Sequence, residues 1–231
     1  MDVSVLLWET LSLLIQWDSA LVETAFAALQ IAVSTLAIAT FVGLPLGGML
    51  AVKRFGGKEL VVTLTNYFWG LPLFVAAVLV YLILSRISSG GVLGLLHKPT
   101  IMIVAQSMLL TPMMIAMSHR YIESEWRRLR PQLKSWRMNR QQALPTLFWG
   151  SRTELCVAVA AGFGRSAAEI GTLMIIGGLL DRVIPLMTAT GVEQNHPGSP
   201  ALLLASGMVL LFIALIAKLL VYYIGGLAKR Q

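Results

Sequence analysis

Arg165 and Glu169 stand four residues apart inside an otherwise apolar run over about residues 153–178. On a helix they are neighbours on one face. Charges in such a segment are costly and turn toward a protein interior or a water-filled path. Pairing offsets part of that cost while adding little net stability. Two roles follow: lining a polar path, or clamping this segment against a neighbour. Gly162, Gly164 and Gly171 flank the pair, with Gly177 and Gly178 further on, and small residues of this kind let helices approach closely and bend. Other chemistry is sparse. His97, His119 and His196 fall on different segments and Cys156 is the single cysteine. No hydrolase constellation, disulfide or cysteine metal cluster can be assembled from them. No Gly-x-x-x-x-Gly-Lys-Ser/Thr loop occurs, so the chain has no cradle for ATP phosphates. The expectation is a protein that is not itself an enzyme and holds no metal.

The elements that position these residues are membrane helices. Of the 231 residues 57% are apolar and 13% charged, against about a quarter charged in soluble domains, and mean hydropathy is +0.77. Five stretches satisfy the requirement of roughly 20 mainly apolar residues: about 21–52, 60–85, 100–118, 153–178 and 200–226. Residues 1–231 read as a single all-α membrane domain. Its basic residues are unevenly spread. Lys53, Arg54 and Lys58 lie between the first two spans, and eight of the 18 Lys and Arg residues fall from Arg120 to Arg152. Residues 1–52 hold Asp2, Glu9, Asp18 and Glu23 and no basic residue. The bias of Lys and Arg toward the cytoplasmic face puts linkers 1–2 and 3–4 and the C-terminus inside, and the N-terminus outside. The charge has no nucleic-acid motif beside it, so DNA is not an expected partner. Residues 1–19 read as an outer interfacial segment, with Val5, Leu6, Trp8, Leu11, Leu14, Ile15 and Trp17 sharing much of one helical face.

The linker over residues 119–152 is rich in helix formers and arginine. Its spacing predicts a separate short helix from Pro131 to Leu144, with proline in the first turn and Pro145 just past the end. Such a helix suits docking of a soluble partner or anchoring on anionic lipid; charge alone leaves both open. Pro72 and Pro112 are expected to kink spans two and three. Thr63, Thr65, Asn66 and Gln106 are expected to bond between helices, and Lys218 to snorkel.

Gly43-Leu44-Pro45-Leu46-Gly47, Gly70-Leu71-Pro72, Ala161-Gly162-Phe163-Gly164-Arg165 with Glu169-Ile170-Gly171 and Gly177-Gly178, and the Met187–Thr190 tract together resemble a known family. The chain is similar, from about residue 20 onward, to permeases of ABC importers of the molybdate/sulfate/tungstate group, with the likeness greatest toward tungstate permeases. The resemblance implies a MetI-like fold working as a homodimer, with two ABC ATPase subunits carrying ATP and Mg, and an extracytoplasmic oxyanion-binding protein. No cofactor is implied on this chain. Residues 119–152 become the cytoplasmic coupling region, with Leu133, Lys134, Trp136, Arg137, Met138, Asn139 and Arg140 as ATPase-coupling residues. The chain departs from the family's Glu-Ala-Ala…Gly signature: Pro131-Gln132-Leu133 replaces the triplet and Arg137 takes the glycine position. Gly70, Pro72, Gly162, Gly164, Arg165, Glu169, Gly171 and Thr188 are the expected translocation-path or gate residues. For Arg165 and Glu169 the clamp is the favoured role, since an unpaired arginine would hold a dianion too tightly to release it. Molybdate and sulfate are the alternative cargoes, and an autonomous channel or ion-coupled carrier is the alternative class.

Overall fold

The computed structural model describes residues 3–16, 19–53, 55–70, 99–135, 137–139, 141–179 and 200–228. Pro72, Trp136, Arg140, Thr188, the second half of the second expected span, linkers 2–3 and 4–5 and the C-terminal tail lie outside them. The described residues form seven helices and no strand: α1 (Val3–Gln16), α2 (Ser19–Val52), α3 (Lys58–Trp69), α4 (Pro99–Ser135), α5 (Leu144–Gly150), α6 (Arg152–Leu179) and α7 (Pro200–Ala228).

Two of them, over Leu21–Val52 and Leu204–Tyr223, are long and apolar enough to cross a membrane. The first coincides with the first expected span. Their outward faces carry Phe26, Phe41, Phe212, Leu219 and Tyr222, all exposed. Water would penalise so much exposed apolar surface, whereas lipid accepts it.

Two pairings organise the bundle: α2 with α4, and α6 with α7. The first depends on Gly43 and Gly47. A Cβ at Gly47 would stand 2.5 Å from the Ile115 carbonyl oxygen and 2.6 Å from Ser118 Cβ. The two backbones therefore meet almost directly, as small residues permit in membrane helices. Pro45 lies between the glycines without ending α2. The Ser118 hydroxyl crosses from α4 and donates to the Leu44 carbonyl at 2.8 Å. At the other pairing, a Cβ at Gly171 would come within 2.9 Å of the Gly207 carbonyl oxygen. Ala39 on α2, Leu110, Met113 and Met114 on α4, and Ala158 on α6 form a shared buried layer.

The amphipathic reading of the first residues holds for Val5, Trp8, Leu11 and Ile15 and changes at Leu14, while Leu6 and Trp17 lie outside the described side chains. Leu13 and Leu14 turn inward against Leu21, Ala201, Leu202, Leu204 and Ala205, while Val5, Trp8, Leu11 and Ile15 stay exposed. Leu14 thus leaves the face it was grouped with, because α7 supplies an apolar surface on the opposite side.

One expectation is overturned. No separate helix starts at Pro131: α4 runs through it to Ser135, and residues 137–139 and 141–143 are turn or irregular. A proline inside a helix removes a donor and crowds the carbonyl four residues earlier. Here Pro131 sits exposed in the last turns. The helix is held past it by Ile122, Trp126, Leu129 and Leu133, spaced to form one apolar stripe.

Candidate coupling and translocation site

The stripe on α4 leads to an apolar knot. Ala51 and Val52 from the end of α2 meet Ile122, Trp126 and Leu133 of α4, together with Ala143 and Leu147 at α5. Leu129, Met138, Leu144 and Phe148 pack around them. Ile122, Leu133 and Leu147 are at most 1% exposed, and each fully buried aliphatic side chain contributes about 1.5–3 kcal/mol. The knot ties the end of α2, just before linker 1–2, to linker 3–4; charge alone had assigned both linkers to one side. Lys58, from the start of α3, closes it by donating to the Ala51 carbonyl at 3.2 Å, a cation at a helix C-terminus.

The chain leaves α4 through a Schellman stop. Arg137 takes φ of +54°, and the Met138 N–H donates to the Leu133 carbonyl at 3.0 Å. Met138 packs back on the cluster that holds Leu133, the hydrophobic contact that accompanies this motif. Arg137, which the resemblance set at a glycine position, is where the backbone takes left-handed geometry. The next turn is set by Asn139. Its N–H donates to Gln142 Oε1 at 3.0 Å, and its carbonyl accepts from the Ala143 N–H at 3.0 Å. The first bond is one half of a capping box. Arg137→Gly should relieve the strain and stabilise the fold by about 1 kcal/mol, read as a higher melting temperature in detergent.

Of the seven coupling residues expected from sequence, Leu133 is buried in the knot and Met138 half-buried against it, while Arg137 and Asn139 are exposed in the turn. Lys134 lies in the last turn of α4. Trp136 and Arg140 lie outside the described residues. Sequence reasoning missed Ala51, Val52, Ile122, Trp126 and Leu147. The spacing of Ile122, Trp126, Leu129 and Leu133 carried the signal; the contribution of α2 had none.

At the α5–α6 junction Glu125 is 8% exposed. Arg128 Nη2 donates to its Oε1 at 2.7 Å. Its carboxylate fills the space where a Gly150 side chain would stand. Trp149 and Arg152 face outward with the guanidinium over the indole, 4.9 Å from its centroid.

A cleft of about 330 Å³ opens between α3 and α4, lined by Val62, Asn66, Ala116, His119, Arg120, Glu123, Ser124 and Arg127. His119 Nε2 is buried there without a hydrogen-bond partner among the described residues. Burial, and then the nearby Lys58, hold the His119 pKa below its ordinary 6.5, with Glu123 pulling the other way. The folded state resists a proton that the unfolded chain accepts, so stability falls as pH drops below about 6.5. The melting temperature should therefore decline from pH 7 toward pH 5, and His119→Gln should flatten that slope.

Deeper in the bundle, Gln106 joins three helices. Thr35 on α2 donates to its Oε1 at 3.2 Å. Gln106 Nε2 donates to the Ser166 carbonyl at 3.0 Å and to Ser166 Oγ at 2.9 Å on α6. The Ser166 hydroxyl continues to the Ala32 carbonyl at 3.4 Å. Thr35, Gln106 and Ser166 are at most 1% exposed. The expectation of an interhelical bond holds at Gln106; at Thr65 it does not, since that hydroxyl turns back within α3 and donates to the Val62 carbonyl at 2.8 Å.

Next to Ser166, Arg165 Nε meets Glu169 Oε1 at 2.8 Å, with side chains 23% and 20% exposed. The pairing read from their spacing is present. Gly162 packs against Leu36 and Met114, and Gly164 lies beside Ala214 and Ala217. Gly162, Gly164 and Gly171 all sit at helix contacts, as their size predicts. Gly70 lies in an exposed turn just after α3.

No family model matches the chain, and no solved structure matches it. Curated proteins do. Over 212 residues, covering 92% of this chain and 93% of the relative, it is 25% identical to the tungstate uptake system permease protein TupB of Peptoclostridium acidaminophilum. It is 27% identical over 158 residues, 68% of each chain, to a protein of Haloferax volcanii named a probable anion ABC transporter permease. A TupB of Campylobacter jejuni is 27% identical over 143 residues, 62% of this chain and 60% of the relative. The class these relatives share is the permease of an anion uptake system, and the chain is similar to it over most of its length. Two of the three are tungstate permeases, which bears out the resemblance drawn from Gly43–Gly47 and Gly162–Gly178.

Proposed function

We propose that this chain is the transmembrane permease subunit of an ATP-driven ABC importer for tungstate, a multi-pass protein of the cell membrane. The carrying observation is the near-full-length likeness to a tungstate uptake permease. The finer architecture is part of the proposal: five spans in a MetI-like fold, with the N-terminus outside and the C-terminus in the cytoplasm. The charge asymmetry supports it, and so does the packing of the end of α2 against residues of linker 3–4 in one knot.

In this reading the knot and the turn at Arg137–Asn139 form the coupling surface. Two separate ABC ATPases bind and hydrolyse MgATP; this chain has no phosphate loop of its own. Closure of the ATPase pair pushes the turn, and α4 and α6 carry the push into the bundle. An extracytoplasmic binding protein delivers the anion and supplies most of the selectivity. The chain works as a homodimer around a two-fold axis. The Arg165–Glu169 pair supports that arrangement. A charged pair about one-fifth exposed on a membrane helix is disfavoured against lipid, and a second copy across a polar path would cover it.

The test is uptake into proteoliposomes holding the permease with its ATPase and receptor. Tungstate should accumulate only with MgATP and receptor, and ahead of molybdate and sulfate. Equal or preferred uptake of another oxyanion would reject tungstate as the cargo, and uptake by the permease alone would reject the importer.

A further inference from the structure

We propose that Gln106 is a positioning residue for transport: it transmits displacement of the coupling end of α4 to α6, and so sets where the Arg165–Glu169 pair stands. The inference rests on the reading of the chain as an ATP-driven permease. α4 links the two regions without a break in its helix. Leu133 is anchored in the knot, and Gln106 lies about 40 Å up the same helix at ~1.5 Å per residue. Pro112 falls between them. It weakens one step of the hydrogen-bond ladder, but Leu110, Met113 and Met114 brace that step against Ala39 and Ala158.

The contacts of that brace are apolar, and apolar burial is not directional. Leu and Met surfaces can slide while remaining buried. The Gln106 amide cannot slide. Its nitrogen grips both the carbonyl and the hydroxyl of Ser166, and its oxygen is held by Thr35. All of these atoms are sealed from water, so a bond broken by sliding has no solvent replacement. Movement of α4 therefore either carries Ser166 along or breaks a buried network. Arg165 is the adjacent residue and Glu169 lies about one helical turn from Ser166, so both ride with it. The amide's other end holds α2 through Thr35, and the Ser166 hydroxyl reaches Ala32 of the same helix, so the network ties α6 to the α2–α4 pair and moves with it.

The experiment measures ATP hydrolysed per anion imported, in proteoliposomes holding the permease, ATPase and receptor. Gln106→Leu keeps volume and removes the directional bonds. It should leave receptor-stimulated hydrolysis within about twofold while lowering uptake about tenfold, an effect in the usual range of coupling between sites. Ser166→Ala keeps the bond to the backbone carbonyl and should raise ATP per anion about fivefold, the low end of that range. Thr35→Val, which spares the α6 grip, should change the ratio less than either. A purely structural role predicts that hydrolysis and uptake fall in step; that result, or an unchanged ratio, overturns the proposal. If Gln106→Leu does not assemble, Ser166→Ala decides alone, by the same ratio. Failure of the importer reading itself would show separately, as absent receptor-stimulated hydrolysis in the unaltered complex.

Discussion

Alanine at Trp136, Met138 and Arg140 together is expected to abolish receptor-stimulated ATP hydrolysis by the complex while the permease remains folded. The three positions follow Ser135, the last residue of α4, in sequence. Met138, the described one of the three, packs against the knot from its edge. The interior of the knot is untouched: Ile122, Leu133 and Leu147 stay buried, and the Arg137 stop depends on backbone bonds to Leu133. What the substitution removes from the segment after α4 is an aromatic ring, a flexible thioether and a guanidinium. Aromatic and arginine side chains dominate binding energy at interfaces. Binding to anionic lipid, the competing role for this basic segment, predicts weaker membrane association with stimulation intact. Hydrolysis by the assembled complex, with folding followed by size-exclusion elution, separates the two.

Arg165→Met is the second large effect. The guanidinium and the Glu169 carboxylate are 2.8 Å apart on α6, which the five-span proposal places in the membrane. Removing the cation leaves a carboxylate in the span, at about 3 kcal/mol for a charge near the middle of a membrane helix. Glu169→Leu leaves the arginine in the same position, with a similar expected loss. Arg165→Met combined with Glu169→Leu removes both charges and keeps apolar bulk. The double variant should be milder than either single one, because replacing a whole desolvated pair is often neutral while breaking it is not. Yield and thermal stability of the purified complex, arranged as a double-mutant cycle, measure this. Additive losses would assign the two residues separate roles and remove the clamp.

The sequence was most legible where one element decides the outcome alone. The apolar run at 21–52 contains Glu23 as its one charged residue, and it became a helix over the expected bounds. Arg165 and Glu169 needed only helical spacing to meet. Pro131 was misleading because proline favours a helix start, and its local signal outweighed a stripe that spans more than ten residues. Ile122, Trp126, Leu129 and Leu133 hold the helix together past it only because the end of α2 and α5 cover them. The stop at Arg137 carries no local signal, since the left-handed position usually holds glycine. Gln106 was legible as an interhelical donor. Its partners were not, because Thr35 and Ser166 lie 71 and 60 residues away and no period in the sequence connects them.

Accessibility at position 135 in intact cells tests most directly whether an ATPase can reach the end of α4. Ser135 is exposed in its last turn, its hydroxyl donating to the Gln132 carbonyl at 2.7 Å. The background must carry Cys156→Ser, because that thiol is itself exposed. A membrane-impermeant maleimide should leave Ser135→Cys unmodified in whole cells and label it once the cytoplasmic face is opened. Labelling from outside in intact cells would place the knot on the wrong face of the membrane and contradict the account.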